Sequence, residues 1–167
     1  MSNAVDTALD RVVAIQKEAM LALAAPITVD SVPYYYHWQD DGVYFTNRLG
    51  PITVTEGLPD DEIAQDYQTS VYQIIMRMVI GHLTEDYDGN NEAKLKDWIP
   101  HLITYFNERP GLQHAAATTH LDNLWSALVT GCTGFAILQS TGLSVQQLGC
   151  EFSLTCTFTE EIELAYV

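Results

Sequence analysis

From Leu148 to Phe158 the chain alternates with a period of two. Leu148, Cys150, Phe152, Leu154, Cys156 and Phe158 are apolar, whereas Gly149, Glu151, Ser153, Thr155 and Thr157 carry no large apolar group. Such alternation predicts a strand with one dry face and one wet face. Tyr67 to Gly81 is the longest strand expectation, with Tyr72, Ile74, Met76, Met78 and Ile80 on its even face. Its odd face carries Val71, Ile75 and Val79 together with Gln73 and Arg77. Two accounts fit a strand so apolar on both sides. It is either a central strand covered twice, or one whose second face waits for another subunit, a use that methionine-rich surfaces suit.

Helical periodicity shows in two places. Val5, Leu9, Val12, Ala19 and Leu23 fall near one stripe flanked by Ile15 and Met20, which predicts a helix over 4–24. Ser2 or Asn3 offers its N-cap, Asp6 sits in its first turn, and Pro26 stops it. Leu95, Trp98, Ile99, Leu102, Ile103 and Phe106 make a second stripe. Asp88-Gly89-Asn90-Asn91 caps it, Pro100 predicts a kink or restart, and Pro110-Gly111 ends it. A short third helix is expected over 121–129, from Leu121, Leu124, Trp125 and Leu128.

The remaining elements are short. Residues 32–38 and 43–46 are aromatic-rich runs around Asp40-Asp41-Gly42, which reads as an irregular hairpin. Ile52 to Thr55 follows Gly50-Pro51 as a separate strand, residues 56–66 form an exposed acidic loop, and Phe135 to Gln139 is a further strand. The order predicts an α+β fold: a mixed, mainly antiparallel sheet with helices packed on one face. One domain over 1–167 is expected, with an aromatic insertion at 32–46.

Composition narrows the function. The chain holds 22 acidic residues against 7 basic ones, a net charge of −15. Phosphate contacts need lysine and arginine, so reading DNA sequence is excluded as an expectation. No apolar run reaches the roughly 18 residues of a membrane span. Asp6 and Asp10 precede any basic residue, unlike a secretory leader, and synthesis in the cytoplasm is expected. Three cysteines, Cys132, Cys150 and Cys156, show no CxxC spacing. Cys150 and Cys156 would share one strand face about 20 Å apart, too far to bridge, and all three read as small core hydrophobes.

No catalytic, cofactor or metal motif stands out. His114 and His120 lie six apart, which fits neither helical spacing nor a zinc loop. Asp60-Asp61-Glu62 lacks the alternating ligands of a calcium loop, and Asp86-x-Asp88-x-Asn90 lacks its glycine and closing glutamate. Thr130 to Gly134 encloses a thiol without an evident base. No catalytic residue, cofactor or metal is assigned.

Several segments together resemble a family. Gly50-Pro51-Ile52-Thr53-Val54, an acidic loop, a long strand ending near Ile80, Leu95-x-x-Trp98-Ile99-Pro100 running to Pro110-Gly111-Leu112, and Leu148-Gly149-Cys150-Glu151-Phe152-Ser153-Leu154 follow in order. This order is similar to that of the tail terminator (tail completion) proteins of long-tailed bacteriophages, lambda's among them. The likeness covers roughly residues 50–160, and the chain departs from it at 32–46 and 112–134. It implies a non-enzymatic virion protein of the tail or neck, made in the host cytoplasm. It implies a homo-hexameric ring that caps the tail tube, ends its polymerisation and joins the head–tail connector, while DNA passes through unbound. On this reading Met76, Met78, Arg77 and Arg48 are candidate subunit contacts. Glu56, Asp60, Asp61 and Glu62 would face the lumen or the adjacent ring. Relatives of that fold also serve as other neck or tail-tube rings. From a different class comes a small-ligand-binding or enzymatic domain with a pocket among Tyr34, Tyr35, Tyr36, His37 and Trp38.

Overall fold

The computed structural model describes residues 4–23, 27–30, 43–61, 66–82, 90–134, 136–139 and 146–162. Within them run α1 (Ala4–Ala22), β1 (Ile27–Asp30), β2 (Val43–Glu56), β3 (Tyr67–His82), α2 (Asn90–Asn107), β4 (Leu124–Cys132), β5 (Ala136–Gln139) and β6 (Gln146–Glu161). The strands form one six-stranded sheet in the order β1-β2-β3-β6-β4, with β5 also paired to β6. β1 joins β2 in parallel and every other pairing is antiparallel. The fold is α+β, with a mixed, mainly antiparallel sheet and both helices on one face. No described helix is long and apolar enough to cross a membrane.

β3 and β6 form the spine. Their register runs from Tyr67↔Glu161 to His82↔Gln147, with one irregularity between Val79 and Gly81. Ile74, Met76 and Met78 therefore meet Leu154, Phe152 and Cys150 on the same face, and all six are buried. The helices cover that face. Ala8, Val12, Ile15 and Ala19 make the dry stripe of α1, and Leu95, Trp98, Leu102 and Phe106 that of α2. Val5, Leu9 and Leu23, expected at the stripe's centre, are only half-buried at its margins. The capping residues expected at Ser2 and Asn3 lie outside the described residues.

One buried polar contact fixes how α1 meets the sheet. Gln16 Nε2 donates to Asn47 Oδ1 at 2.7 Å, and Asn47 Nδ2 donates to Gln16 Oε1 at 2.9 Å. Both residues are wholly buried, so each amide satisfies the other where water cannot. A second tie is His101 Nε2, which donates to the Ala19 carbonyl at 2.9 Å and holds α2 against the end of α1.

Three expectations change in three dimensions, and one open choice is narrowed. Residues 43–46 and 52–55 belong to one strand, because Gly50-Pro51 is a bulge between Leu49 and Ile52 rather than a break. α2 continues through Pro100, whose exposed position leaves the unbonded carbonyl one turn earlier to solvent. The stretch read as a helix over 121–129 is instead β4. A bulge at Trp125 puts Leu124 and Ala127 on one face three residues apart, mimicking helical spacing. The open choice concerns β3: its even face is the core face, while on the other side Val71, Gln73, Ile75 and Arg77 stay half-buried and only Thr69 and Val79, toward its ends, are buried. The hairpin expected around Asp40-Asp41-Gly42 lies outside the described residues.

The two long edges are unequal. Among the described residues no strand flanks β2 beyond Thr46, and 51–56 are all exposed. On β4, by contrast, the Ala127 N–H donates to the Pro110 carbonyl and the Val129 N–H to Asn107 Oδ1, each at 2.8 Å. The end of α2 thus caps the edge that β4 would otherwise present.

Phe152→Ala is expected to lower the unfolding free energy by about 3–5 kcal/mol in urea titration, since the ring is buried at the centre of the spine. Gln16→Leu should cost about 1–3 kcal/mol in the same measurement, because it orphans the buried Asn47 amide.

Candidate functional site

The sheet face away from the helices is left without a cover by the described elements. β2 brings Thr46, Arg48, Thr53 and Thr55 to it; β3 brings Val71, Gln73, Ile75 and Arg77. β6 adds Glu151, Ser153, Thr155 and Thr157, and β4 adds Ser126, Leu128 and Thr130. Hydroxyls dominate, and they bond along the face: Thr130 Oγ1 lies 2.7 Å from Thr155 Oγ1. The face is driest at its β1 end, where Thr46 is buried and its hydroxyl finds no partner among the described residues.

Charge is sparse there. Arg77 sits directly across from Glu151, with Nε and Nη2 at 2.8 and 2.7 Å from Oε1. The pair is neutral as a unit and fixes register more than it adds stability, about 1 kcal/mol at such partial exposure. Arg48, exposed across from Ile75, is the remaining cation of the face.

Two of the expected contact residues are elsewhere. Met76 and Met78 are buried against the helices, at 1% and 0% exposure, so they belong to the protomer's own core and are not subunit contacts. The even face was the richer in methionine because it is the dry one. Arg77 and Arg48 do reach the uncovered face. Glu56 ends β2 in the open, and Asp60 and Asp61 are exposed in the turn closed by the Leu58–Asp61 bridge. Glu62 lies outside the described residues, as does the aromatic run Tyr34, Tyr35, Tyr36, His37 and Trp38.

A second feature sits on the helix side. An open cleft of about 350 Å³ is lined by Glu18 of α1 with Arg109, Gln113, His114, Ala115 and Thr118 of the segment after α2. Glu18 organises it: Oε1 accepts the Ala115 N–H at 2.8 Å and lies 3.9 Å from His114 Nδ1, while Oε2 accepts the Tyr105 hydroxyl at 3.4 Å. The Arg109 guanidinium stacks 3.6 Å over the Tyr105 ring and donates to the Tyr105 carbonyl at 2.8 Å. Burial pushes the Tyr105 hydroxyl above its ordinary value. Arg109 opposes that shift and Glu18 adds to it.

The segment is held from below as well. Arg11 Nη1 donates to the Thr119 carbonyl at 2.6 Å, and His120 Nε2 donates to the Leu124 carbonyl at 2.6 Å. Gly111 lies so close to the His120 ring that any Cβ there would collide with it. His114 and His120 thus serve this turn. Sequence reasoning missed the grouping because Glu18 and Ala115 are 97 positions apart and no spacing rule joins them.

The cysteines divide. Cys150 and Cys156 are buried in the core as expected, but Cys132 is exposed at the end of β4, contrary to its reading as a core hydrophobe. A scan of protein-family models finds no match to this chain, and a search of curated proteins finds no relative.

Glu18→Ala should speed amide hydrogen exchange at Ala115 and cost about 1 kcal/mol by loss of a carboxylate-accepted bond, leaving exchange in β3 unchanged.

Proposed function

We propose that this protein is a virion structural component of a long-tailed bacteriophage. It would form a ring of identical subunits, a hexamer, that caps the tail tube, ends its growth and joins it to the head–tail connector. The observation that carries the reading is the uncovered sheet face, nearly neutral in a chain of net charge −15. Copies so strongly charged repel one another, and close contact is cheapest where charge is absent. The threonine-rich strands, the internally neutralised Arg77–Glu151 pair and the half-buried Ile75 and Val71 meet that condition. This contact face replaces the one drawn through Met76 and Met78.

The acidity elsewhere has a use in the same scheme. A bore lined by carboxylates lets DNA pass, because like charge prevents tight phosphate contacts. Glu56, Asp60 and Asp61, exposed at the tip where β2 turns toward β3, would face a lumen or an adjacent ring on this reading. The chain works without catalysis or cofactor on this reading, in the virion neck after assembly in the host cytoplasm. A role in another neck or tail-tube ring would use the same face.

The cleft around Glu18 and Arg109 favours one alternative, a domain that binds a small ligand. A metabolite panel in a thermal-shift assay separates the two, since a specific ligand stabilises by mass action.

Mass photometry of the purified chain, alone and with tail-tube protein, tests the proposal directly. A hexamer, or a six-copy cap formed only on tube, is expected; a monomer indifferent to tube would remove the reading. Leu128→Glu, at an exposed position of the uncovered face, should leave monomer stability within about 0.5 kcal/mol yet abolish the ring. Intact rings from that variant would move the contact to another face.

A further inference from the structure

Cys132 and Cys150 come together through the end of the β4–β6 ladder. The last registered pair is Cys132↔Phe152, which puts Cys132 on the helix-side face. The next residue continues the alignment off the strand: the Thr133 N–H donates to the Glu151 carbonyl at 2.9 Å, and the Glu151 N–H donates back to Thr133 Oγ1 at 2.9 Å. Cys150, which pairs with Met78 on the same helix-side face, is therefore the diagonal neighbour of Cys132. The register thus puts the two side chains on one face of the sheet at adjacent diagonal positions.

We infer that Cys132 and Cys150 are a redox pair that closes to an intramolecular disulfide under mild oxidation, with Cys132 as the attacking sulfur. Diagonal residues in a regular ladder lie about 7–8 Å apart, slightly beyond the usual disulfide span. Here β4 is irregular between Val129 and Gly131, and Gly134 takes a φ of 67° before β5 resumes pairing with β6 at Ala136↔Gly149. Cys132 is thus the last residue of β4, at the step in the ladder between Cys132↔Phe152 and Ala136↔Gly149, where among the described residues Cys150 has no registered partner on that side and a small inward shift can be taken up.

The two sulfurs differ in the way such chemistry requires. Cys132 is exposed, and its sulfur accepts the Gly134 N–H at 3.3 Å. Cys150 is wholly buried. The Cys150 thiol lowers the Cys132 pKa to about 6 by hydrogen bonding to its thiolate, burial opposes this, and the Gly134 N–H assists. Cys150 is pushed up, first by donating to Cys132 and then by burial. Cys156 is excluded from the pair. It lies six positions along β6, about 20 Å away, and burial pushes its thiol up to about 12.

With hydrogen peroxide as oxidant the atoms balance. The Cys132 thiolate attacks one peroxide oxygen, the O–O bond breaks, and hydroxide leaves and is protonated to water. Cys132 is then a sulfenic acid. The Cys150 sulfur attacks the Cys132 sulfur, the S–S bond forms, the S–O bond breaks, and the oxygen leaves as water with the Cys150 proton. Two thiols lose two electrons in all, and one peroxide becomes two waters. The product locks the end of β4 to β6 at the step before β5. This inference is independent of the ring proposal.

The test treats the full chain with a few equivalents of peroxide, then denatures it in N-ethylmaleimide and counts adducts by intact mass. Untreated protein should take three adducts, one per cysteine. Oxidised protein should stay monomeric by non-reducing electrophoresis and take one adduct, at Cys156, with a Cys132–Cys150 crosslinked peptide on digestion. Cys156→Ser should keep the crosslink, and Cys132→Ser should leave both remaining thiols reduced. Alkylation of native Cys132 should titrate near pH 6, and at a higher pH in Cys150→Ala. Cys132 accumulating as sulfinic acid while Cys150 still takes maleimide would overturn the inference. So would a crosslink between chains, or an unchanged alkylation midpoint in Cys150→Ala.

Discussion

Everything in this molecule hangs on the antiparallel ladder between β3 and β6. Those two strands run together for their full length, so the alternation along each becomes a shared division into faces. One face receives Ile74, Met76, Met78, Phe152, Leu154 and Cys156, and two amphipathic helices close over it. A slip of one residue would move the whole set into water. The Arg77–Glu151 pair, directly opposed on the other side, guards the register from the wet face. The Gln16–Asn47 amide pair guards the seating of α1 from the dry one.

One-sided burial leaves a molecule with two different outsides. On the helix side the surface is varied: a cleft organised by Glu18, a turn pinned by Arg11 and His120, and an arginine laid over a tyrosine. On the sheet side the described residues are rich in hydroxyls and nearly without net charge. A small ligand needs concavity, whereas a subunit contact needs area and an absence of repulsion. The second condition is the harder one to meet at net −15, and the sheet side meets it.

The edges carry the same asymmetry. β4 gives its Ala127 and Val129 donors to the end of α2, so the protein spends the C-terminus of a helix on closing one side of the sheet. β2 is guarded differently: Gly50-Pro51 interrupts its ladder with a bulge, and proline removes a donor from the outer edge. Beyond that bulge Ile52 and Val54 stand exposed on the helix-side face, past the reach of the helices.

The sequence by itself determined the strands that span one full period of alternation and the two helices with regular stripes. β6 was legible because burial on one face writes itself directly as period two, β3 as a long run of strand-forming apolar residues, and α2 because Leu95, Trp98, Leu102 and Phe106 repeat at helical spacing. It also determined the α+β class and the acidity that sets the terms for any partner. What it left open depends on residues far apart meeting. Leu124 and Ala127 look helical until a bulge is known to separate them, and Met76 and Met78 look available until two helices are seen to lie over them. Glu18 joins Ala115, and Cys132 joins Cys150, only through packing and strand register. Local periodicity reports which face of an element is dry; it takes the tertiary structure to say what makes it dry, because that partner lies elsewhere in the chain.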